Sequence, residues 1–122
     1  MNISFLTSGH EPLDDRIFYH MAKTLSDHNN DVVIISSKSD LTEVTDGILL
    51  NCFAGDNLTK RDKIKHFMER LSVSKPDLII CSEPLTILAA RQYSKRQSGK
   101  IRIVYDITEW YPSKKNLNIH QY

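Results

Sequence analysis

The chain has 122 residues, of which 40% are hydrophobic and 25% charged, with 16 Lys and Arg against 15 Asp and Glu. This length fits one compact domain, and the apolar fraction is enough to bury a core, which excludes a disordered chain. The formal net charge of +1 argues against an electrostatic nucleic-acid binder, and no apolar run approaches the roughly 20 residues that span a bilayer.

Short apolar runs alternate with helical periodicity along the chain. The predicted strands cover residues 3–6, 32–35, 48–53, 78–81 and 101–105, and the predicted helices cover 17–25, 64–71 and 85–93. We expect Asp14 or Asp15 to cap the first helix, Asn29 or Asn30 to end it, and Pro84 to open the third. The polar segment 37–46 receives no element. Strands that alternate with helices predict an α/β, Rossmann-like fold with three layers, in which a parallel sheet has helices on both faces.

The C-terminal segment 113–122 reads as a polar tail without a periodic pattern. A doubly wound domain rarely stops in the loop after a strand, because the edge of that strand would stay uncovered. We therefore expect a domain over residues 1–112, a polar tail over 113–122, and a chain that is part of a longer protein.

The two cysteines, Cys52 and Cys81, fall in apolar strand-like runs. We interpret them as reduced core thiols, with a disulfide as the alternative. The N-terminus has no basic segment followed by a long apolar stretch, as a secretory signal would have. Both observations predict a cytoplasmic protein.

Polar residues follow three of the predicted strands, where an open α/β sheet binds its ligands. The residues in question are Thr7, Ser8, Gly9, His10, Glu11, Asp14, Ser82, Glu83, Asp106, Thr108, Glu109 and Trp110. No histidine or cysteine pair has metal-ligand spacing, and the chain has no G-x-G-x-x-G, P-loop or G-x-S-x-G motif. Spacing alone therefore predicts a ligand crevice, no metal site and an unidentified ligand.

Each candidate also has a simpler explanation. His10 can be an exposed turn residue, and Glu83 lies at a helix start, where a carboxylate is stabilised in any case. Asp106 and Glu109 can cap the next element. Arg16 opens a helix, an unfavourable end for a cation, which indicates either a phosphate or acid partner or a pair with a neighbouring Asp.

Three blocks of the chain resemble a known family. Residues 10–18, HEPLDDRIF, resemble the pattern H-P-x-x-D-x-R-I-F that opens many bacterial GT4-type (group 1) glycosyltransferases of the GT-B fold. Residues 76–84, PDLIICSEP, resemble P-D-[VI]-[VI]-x-x-H-D-P, and residues 104–112, VYDITEWYP, resemble V-Y-D-x-H-E-x-x-P. The blocks stand in the family order over most of the chain.

The resemblance implies the N-terminal half of a GT-B fold, which holds the acceptor, whereas a missing C-terminal domain binds the nucleotide-sugar. It implies a retaining transferase of bacterial cell-surface polysaccharide or lipopolysaccharide biosynthesis, with a sugar or lipid-linked sugar as acceptor. The family usually needs no metal, and the nucleotide-sugar is a co-substrate, so we expect no cofactor. We expect these residues alone to be inactive, and the enzyme to be cytoplasmic or peripheral on the inner face of the plasma membrane.

Block matching carries over His10, Arg16, Asp106 and Glu109 as acceptor-side residues. We expect the acceptor-binding set to comprise these four together with Gly9, Ser82, Glu83 and Thr108 from the same strand ends. His10 and Glu109 are the candidate catalytic residues. Thr108 and Ser82 stand where the family has histidine, and Glu83 replaces an aspartate. Because neither hydroxyl carries a proton near neutral pH, the assignment of a catalytic histidine stays open.

Two alternatives remain from the sequence. One is a stand-alone flavodoxin-like or receiver-like interaction or nucleotide-binding domain, although the chain has no acidic phosphoacceptor cluster and no Gly-rich loop. The other concerns Trp110, Tyr111, Lys114 and Lys115, whose types suit an anionic membrane surface or a loop buried against missing segments.

Overall fold

This computed structural model describes residues 1–12, 16–106 and 119–121. Residues 16–18, 106 and 119–121 are described by their backbone only. The described residues contain seven strands and three helices. In chain order the elements are β1 (Asn2–Thr7), α1 (Arg16–Asp27), β2 (Asp31–Ser36), β3 (Leu41–Thr45), β4 (Ile48–Cys52), α2 (Lys60–Ser74), β5 (Leu78–Cys81), α3 (Pro84–Lys95), β6 (Arg102–Asp106) and β7 (Ile119–Gln121).

The strands form one sheet in the order β3-β4-β2-β1-β5-β6-β7. The five inner strands are parallel, whereas β3 and β7 are antiparallel edge strands. The predicted α/β, Rossmann-like class with a parallel sheet is confirmed, and the structure adds one antiparallel strand at each edge. The chain leaves β1 toward β2 on one side and leaves β5 toward β6 on the other. The strand order therefore reverses between β1 and β5, where such sheets open a crevice.

Helices cover both faces of the sheet because its inner strands are apolar on both sides. Helices α2 and α3 pack with Leu6, Ile79 and Ile103 in one buried cluster. Helix α1 contributes Ala22 to the other cluster, with Phe5 among the strand residues. Since neighbouring strand residues point to opposite faces, this division of the core gives the predicted three layers.

The helix ends follow their sequence signals. Thr59 caps α2, and its side chain accepts the amide hydrogen of Asp62 at 3.1 Å. Asn29 follows α1 with a φ of 66°, which confirms the left-handed residue predicted there. Pro84 is the first residue of α3, as predicted. Asp14 and Asp15, the predicted caps of α1, lie outside the described residues.

Two strands correct the sequence expectations. Strand β3 lies in the segment that received no element, and it pairs with β4 through a two-residue turn at Asp46 and Gly47. Both turn residues have positive φ, 53° and 79°, which is the geometry of a type I′ hairpin. Strand β7 lies in the expected polar tail and pairs with β6, so the edge of β6 that we expected to be uncovered is paired.

The two cysteines are free and buried in the sheet, Cys52 in β4 and Cys81 in β5. Burial raises the pKa of the Cys52 thiol, and it raises the pKa of the Cys81 thiol to about 12. Both groups are therefore neutral thiols at physiological pH. Among the helices that the structure describes, none is long and apolar enough to cross a membrane.

Candidate functional site

Four chain segments meet at the carboxyl end of the inner strands. The amide of Ser82 donates to the carbonyl of Leu6 at 3.2 Å, which aligns the ends of β5 and β1. The amide of Ser37 donates to the carbonyl of Thr7 at 3.1 Å, and the amide of Phe53 donates to that of Ser36 at 2.9 Å. The loops after β1, β2, β4 and β5 are thereby fixed next to one another at the strand-order reversal.

The centre of this region is the carboxylate of Glu83, which accepts hydrogen bonds from the loop after β1. Its Oε1 accepts from the amide of Ser8 at 2.7 Å and from the Ser8 hydroxyl at 3.3 Å. Its Oε2 accepts from the hydroxyl of Thr7 at 2.8 Å and from the amide of Gly9 at 3.0 Å. One side chain thus binds three consecutive residues that lie 74 to 76 positions away. We call this arrangement the Glu83 clamp.

The backbone of Glu83 is held as firmly as its side chain. Glu83 is the N-cap residue of α3, and its amide donates to Oγ1 of the buried Thr86 at 3.2 Å. The same hydroxyl donates to the Glu83 carbonyl at 2.7 Å. The simpler explanation from the sequence, a carboxylate at a helix start, therefore describes the position of Glu83 correctly. It does not describe the clamp.

The clamp explains why residue 9 is a glycine. A Cβ at this position would lie 2.9 Å from Oε2 of Glu83, closer than such atoms approach in proteins. The buried Thr7 supports the same turn, because its Oγ1 accepts from the amides of Gly9 and His10 at 3.4 and 3.3 Å. Gly9 therefore serves close approach to the carboxylate, which is consistent with the absence of a G-x-G-x-x-G motif.

His10 lies at the rim of the clamp. Its Nε2 is 4.0 Å from Oε2 of Glu83, and the two side chains are 29% and 20% exposed. The carbonyl of His10 accepts a hydrogen bond from the Ser36 hydroxyl at 2.7 Å, which anchors the backbone beneath the ring. A half-buried imidazole next to a carboxylate can exchange hydrogen bonds with a ligand hydroxyl.

Three serines at the end of β2 complete this region, Ser36 in its last position and Ser37 and Ser39 after it, and the sequence reasoning missed them. Besides the bond from Ser36, the hydroxyl of Ser37 donates to the Ser8 carbonyl at 3.4 Å, and the hydroxyl of Ser39 donates to the carboxylate of Glu11. The signal was present, because these serines follow a strongly apolar strand in the same way as Ser82 follows β5. Sequence reasoning applied that rule to three strands and not to β2.

The other predicted site residues fall into three groups. Ser82 is buried beside the clamp, but its hydroxyl donates to the Leu6 carbonyl at 3.2 Å and so faces the main chain. Arg16 begins α1 and Asp106 ends β6, both described by backbone alone. Thr108 and Glu109 lie outside the described residues, as do Trp110, Tyr111, Lys114 and Lys115. The structure thus brings Gly9, His10 and Glu83 together, and the acceptor-binding role of every residue in the set stays a prediction.

This region is a polar surface around one carboxylate that is hydrogen-bonded within the protein, with an imidazole ring at its rim. No group of three potential metal ligands occurs within residues 1–12, 16–106 and 119–121. The amides of Ser8 and Gly9, which could otherwise bind an anion, already donate to Glu83. Lys38 in the adjacent loop has its Nζ 3.3 Å from Asp56. The hydroxyls of this region also donate within the protein, but hydroxyl and carbonyl oxygens keep a second lone pair. The region can therefore still accept hydrogen bonds from a ligand rich in hydroxyls.

Comparison with known proteins gives the fold a context. No protein-family model matches the chain, and no curated protein matches it in sequence. Its structure is similar to the apo form of the lipopolysaccharide outer core galactosyltransferase WaaB, with a TM-score of 0.58 at 17% identity, over 84% of this chain and 32% of that one. It is also similar to a double mutant of a Serratia marcescens short-chain dehydrogenase/reductase, with a TM-score of 0.50 at 12% identity, over 78% and 51% of the two chains.

Both likenesses show the fold alone. The chain spans about a third of the galactosyltransferase. The shared part is a Rossmann-like α/β domain of the kind that forms the N-terminal half of a GT-B glycosyltransferase, which confirms the fold class expected from the sequence. The second neighbour belongs to a different class of enzyme, so the shared fold by itself assigns no function to this chain.

Proposed function

We propose that this chain is the acceptor-binding N-terminal domain, over residues 1–112, of a retaining GT4-type glycosyltransferase. A further domain would hold the nucleotide-sugar, and the acceptor would be a sugar or lipid-linked sugar of a bacterial cell-surface polysaccharide or lipopolysaccharide. The enzyme would work in the cytoplasm or on the inner face of the plasma membrane. Two independent observations support this: the three sequence blocks, and a fold similar to that of a lipopolysaccharide galactosyltransferase.

The observation that carries the proposal is the Glu83 clamp. Rossmann-like domains that bind dinucleotides hold the pyrophosphate on the backbone amides of the loop after the first strand. In this chain the Ser8 and Gly9 amides of that loop donate to an internal carboxylate at 2.7 and 3.0 Å. A pyrophosphate there would have to displace this carboxylate or lie against its negative charge. The clamp therefore favours a neutral, hydroxyl-bearing ligand over a dinucleotide.

Within this proposal the residues take different roles. His10 faces the acceptor and binds one of its hydroxyls, with Glu83 holding the loop in position. Gly9 permits the close approach, and the loop serines set the backbone beneath the ring. Arg16, Asp106, Thr108 and Glu109 are proposed to complete the acceptor side, and Glu109 stays a catalytic candidate beside His10.

The test is a titration of the isotope-labelled protein, followed by the amide NMR signals of Ser8, Gly9 and His10. We expect a lipopolysaccharide core oligosaccharide to shift these signals in a saturable way, and NADH to leave them unchanged. His10→Ala should weaken the oligosaccharide response while the remaining spectrum stays that of the folded protein. Saturable shifts with NADH and none with the oligosaccharide would refute the proposal and favour a nucleotide-binding domain.

Two further observations test the assignment to a two-domain transferase. We expect the 122 residues alone to transfer no sugar from a nucleotide-sugar, since the donor-binding half is not among them. Measured turnover would contradict this division of labour. In the gene, an in-frame second domain with the acidic E-x7-E motif after codon 122 would support the proposal, and a native stop codon there would count strongly against it.

A further inference from the structure

Strand β3 is an edge of the sheet, and its outer side presents backbone groups to the surroundings. The two-residue turn makes Thr45 and Ile48 a hydrogen-bonded pair, and such pairs alternate with non-bonded ones along an antiparallel ladder. The amides and carbonyls of Thr42 and Val44 therefore point away from β4. Within residues 1–12, 16–106 and 119–121, these four groups have no hydrogen-bond partner.

The sequence of β3 does little to prevent the addition of another strand. Edge strands are commonly protected by Lys, Pro or a bulge. The strand LTEVT contains neither Lys nor Pro, and its register with β4 is regular over all five residue pairs. Its one charged side chain is Glu43, and Val44 is 68% exposed. Since β-branched residues suit pleated pairing, β3 is a template for a further strand.

The two faces of β3 differ in their chemistry. Leu41 packs against the cluster under α1, and Glu43 shares that face because residues two apart point the same way. Val44 points to the opposite face, where it lies opposite Leu49 of β4, and Leu49 lies opposite Val33 of β2. These three residues form an aliphatic row that is open at Val44. A strand beside β3 would extend this row on one face and meet Glu43 on the other.

The surroundings of this edge are acidic. Asp40 precedes β3, Glu43 lies within it, and Asp46 follows it. Residues 39–59 contain four Asp and Glu and no Lys, Arg or His. The carboxylate of Glu43 accepts a hydrogen bond from the hydroxyl of Thr45 at 3.0 Å, which leaves its negative charge in place. A partner strand with positive charge would complement this edge.

Two lysines of neighbouring segments have acidic partners of their own. Lys23 of α1 has its Nζ 3.3 Å from Oδ1 of Asp27, and Lys38 has its Nζ 3.3 Å from Oδ1 of Asp56. Both pairs are internal to their own segments of the surface, so these lysines do not balance the charge of β3.

We propose that β3 binds an extended segment of another protein, in which basic side chains alternate with β-branched ones. The segment adds to the sheet as a strand and exchanges backbone hydrogen bonds with Thr42 and Val44. Its basic side chains lie beside Glu43, and its β-branched side chains continue the aliphatic row. A second copy of this chain is disfavoured, because its β3 would bring the same acidic charges. The inference goes beyond the proposed function and does not depend on it.

An NMR titration with a capped seven-residue peptide of alternating lysine and valine tests the inference. We expect saturable shifts of the Thr42 and Val44 amide signals, and slower hydrogen exchange of these two amides. A peptide of alternating glutamate and valine should give no saturable shifts. Val44→Pro removes an amide that points away from β4, so the hairpin should stay folded while binding weakens roughly 5-fold, as for one lost hydrogen bond.

Charge reversal tests the recognition itself. Glu43→Lys should weaken binding of the lysine peptide roughly 5-fold and reverse the preference between the two peptides. The control Glu69→Lys makes the same change on α2, in the groove that faces α3, and should keep the original preference. Circular dichroism of each variant distinguishes a lost surface from a lost fold.

Three results would overturn the inference. The first is the absence of saturable shifts with the lysine peptide, and the second is an unchanged peptide preference in Glu43→Lys. The third is a dimer in analytical ultracentrifugation that Val44→Pro dissociates, which would assign the edge to a second copy of the chain.

Discussion

Removal of the Glu83 carboxylate should destabilise the protein far more than its position at the surface end of the sheet would indicate. Glu83→Ala leaves the amides of Ser8 and Gly9 and the hydroxyl of Thr7 without their acceptor. These donors belong to the turn that connects β1 to the rest of the chain. The side chain is only 20% exposed, so solvent replaces the lost acceptor incompletely.

The size of the effect follows from the four hydrogen bonds. A bond to a charged group contributes about 1.5–3 kcal/mol net, and rehydration of the freed donors returns part of it. We expect Glu83→Ala to lower the free energy of unfolding by about 3 kcal/mol, which corresponds to roughly 10 °C in Tm for a domain of this size. Glu83→Gln keeps one acceptor oxygen but directs an amide donor at the other partners, so we expect about half that loss.

The assay is urea unfolding followed by circular dichroism, with Glu69→Ala as the matched control. Glu69 is a glutamate within α2, its side chain is 59% exposed, and its contact is a 3.8 Å pair with His66. Exposed ion pairs contribute little to stability, so Glu69→Ala should lower the free energy of unfolding by less than about 1 kcal/mol. If Glu83→Ala proves no more destabilising than Glu69→Ala, the hydrogen bonds of the clamp do not hold the loop and the reasoning fails.

Three more predictions concern other sites. Gly9→Ala should lower the free energy of unfolding by about 1–3 kcal/mol, because its Cβ would meet the Glu83 carboxylate. In a Glu83→Ala background this loss should largely vanish, and additive losses in the double mutant would contradict the clash. Gly47→Ala should lower the free energy of unfolding, measured in urea, by about 1–2 kcal/mol, because φ is +79° at this residue. Its control, Gly99→Ala, has open space around the added Cβ and should leave the free energy of unfolding unchanged. The pKa of the Cys81 thiol is about 12 in the folded protein and near 9 when unfolded, so the unfolded chain loses its proton first and stability falls as pH rises above about 9. Near pH 10.5 this loss should be about 2 kcal/mol relative to pH 8 and should be absent in Cys81→Ala; equal pH slopes in the two proteins would refute it.

Much of the fold was predictable because the strong signals are local. The apolar runs that became β1, β2 and β5 are buried on both faces, so no alternation had to be resolved. The hairpin of β3 and β4 was also predictable, since Asp46-Gly47 is the commonest signal of a two-residue turn. Strand β3 was overlooked because it is an exposed edge strand with a polar sequence, LTEVT.

The clamp could not be predicted from local pattern. It depends on the register of β1 against β5, where Leu6 is opposite Cys81, so that the residues after each strand reach the same level. Glu83 and Ser8 are 75 positions apart, and nothing between them marks the pair. Sequence reasoning located both loops at one end of the sheet, and only the register decided which side chains meet.

That register also separates the two kinds of enzyme to which the fold is similar. A dehydrogenase-like domain needs free amides after its first strand, because the pyrophosphate of the dinucleotide carries its charge there. In this chain the equivalent amides are occupied by a carboxylate from the neighbouring strand end, and residue 9 is a glycine so that the carboxylate can approach. Substituting Glu83 would free the amides and remove a negative charge in one step. The acceptor site that we propose would need neither free amides nor a positive charge, since its ligand would bring hydroxyl groups, and the His10 ring lies at the rim of the clamp.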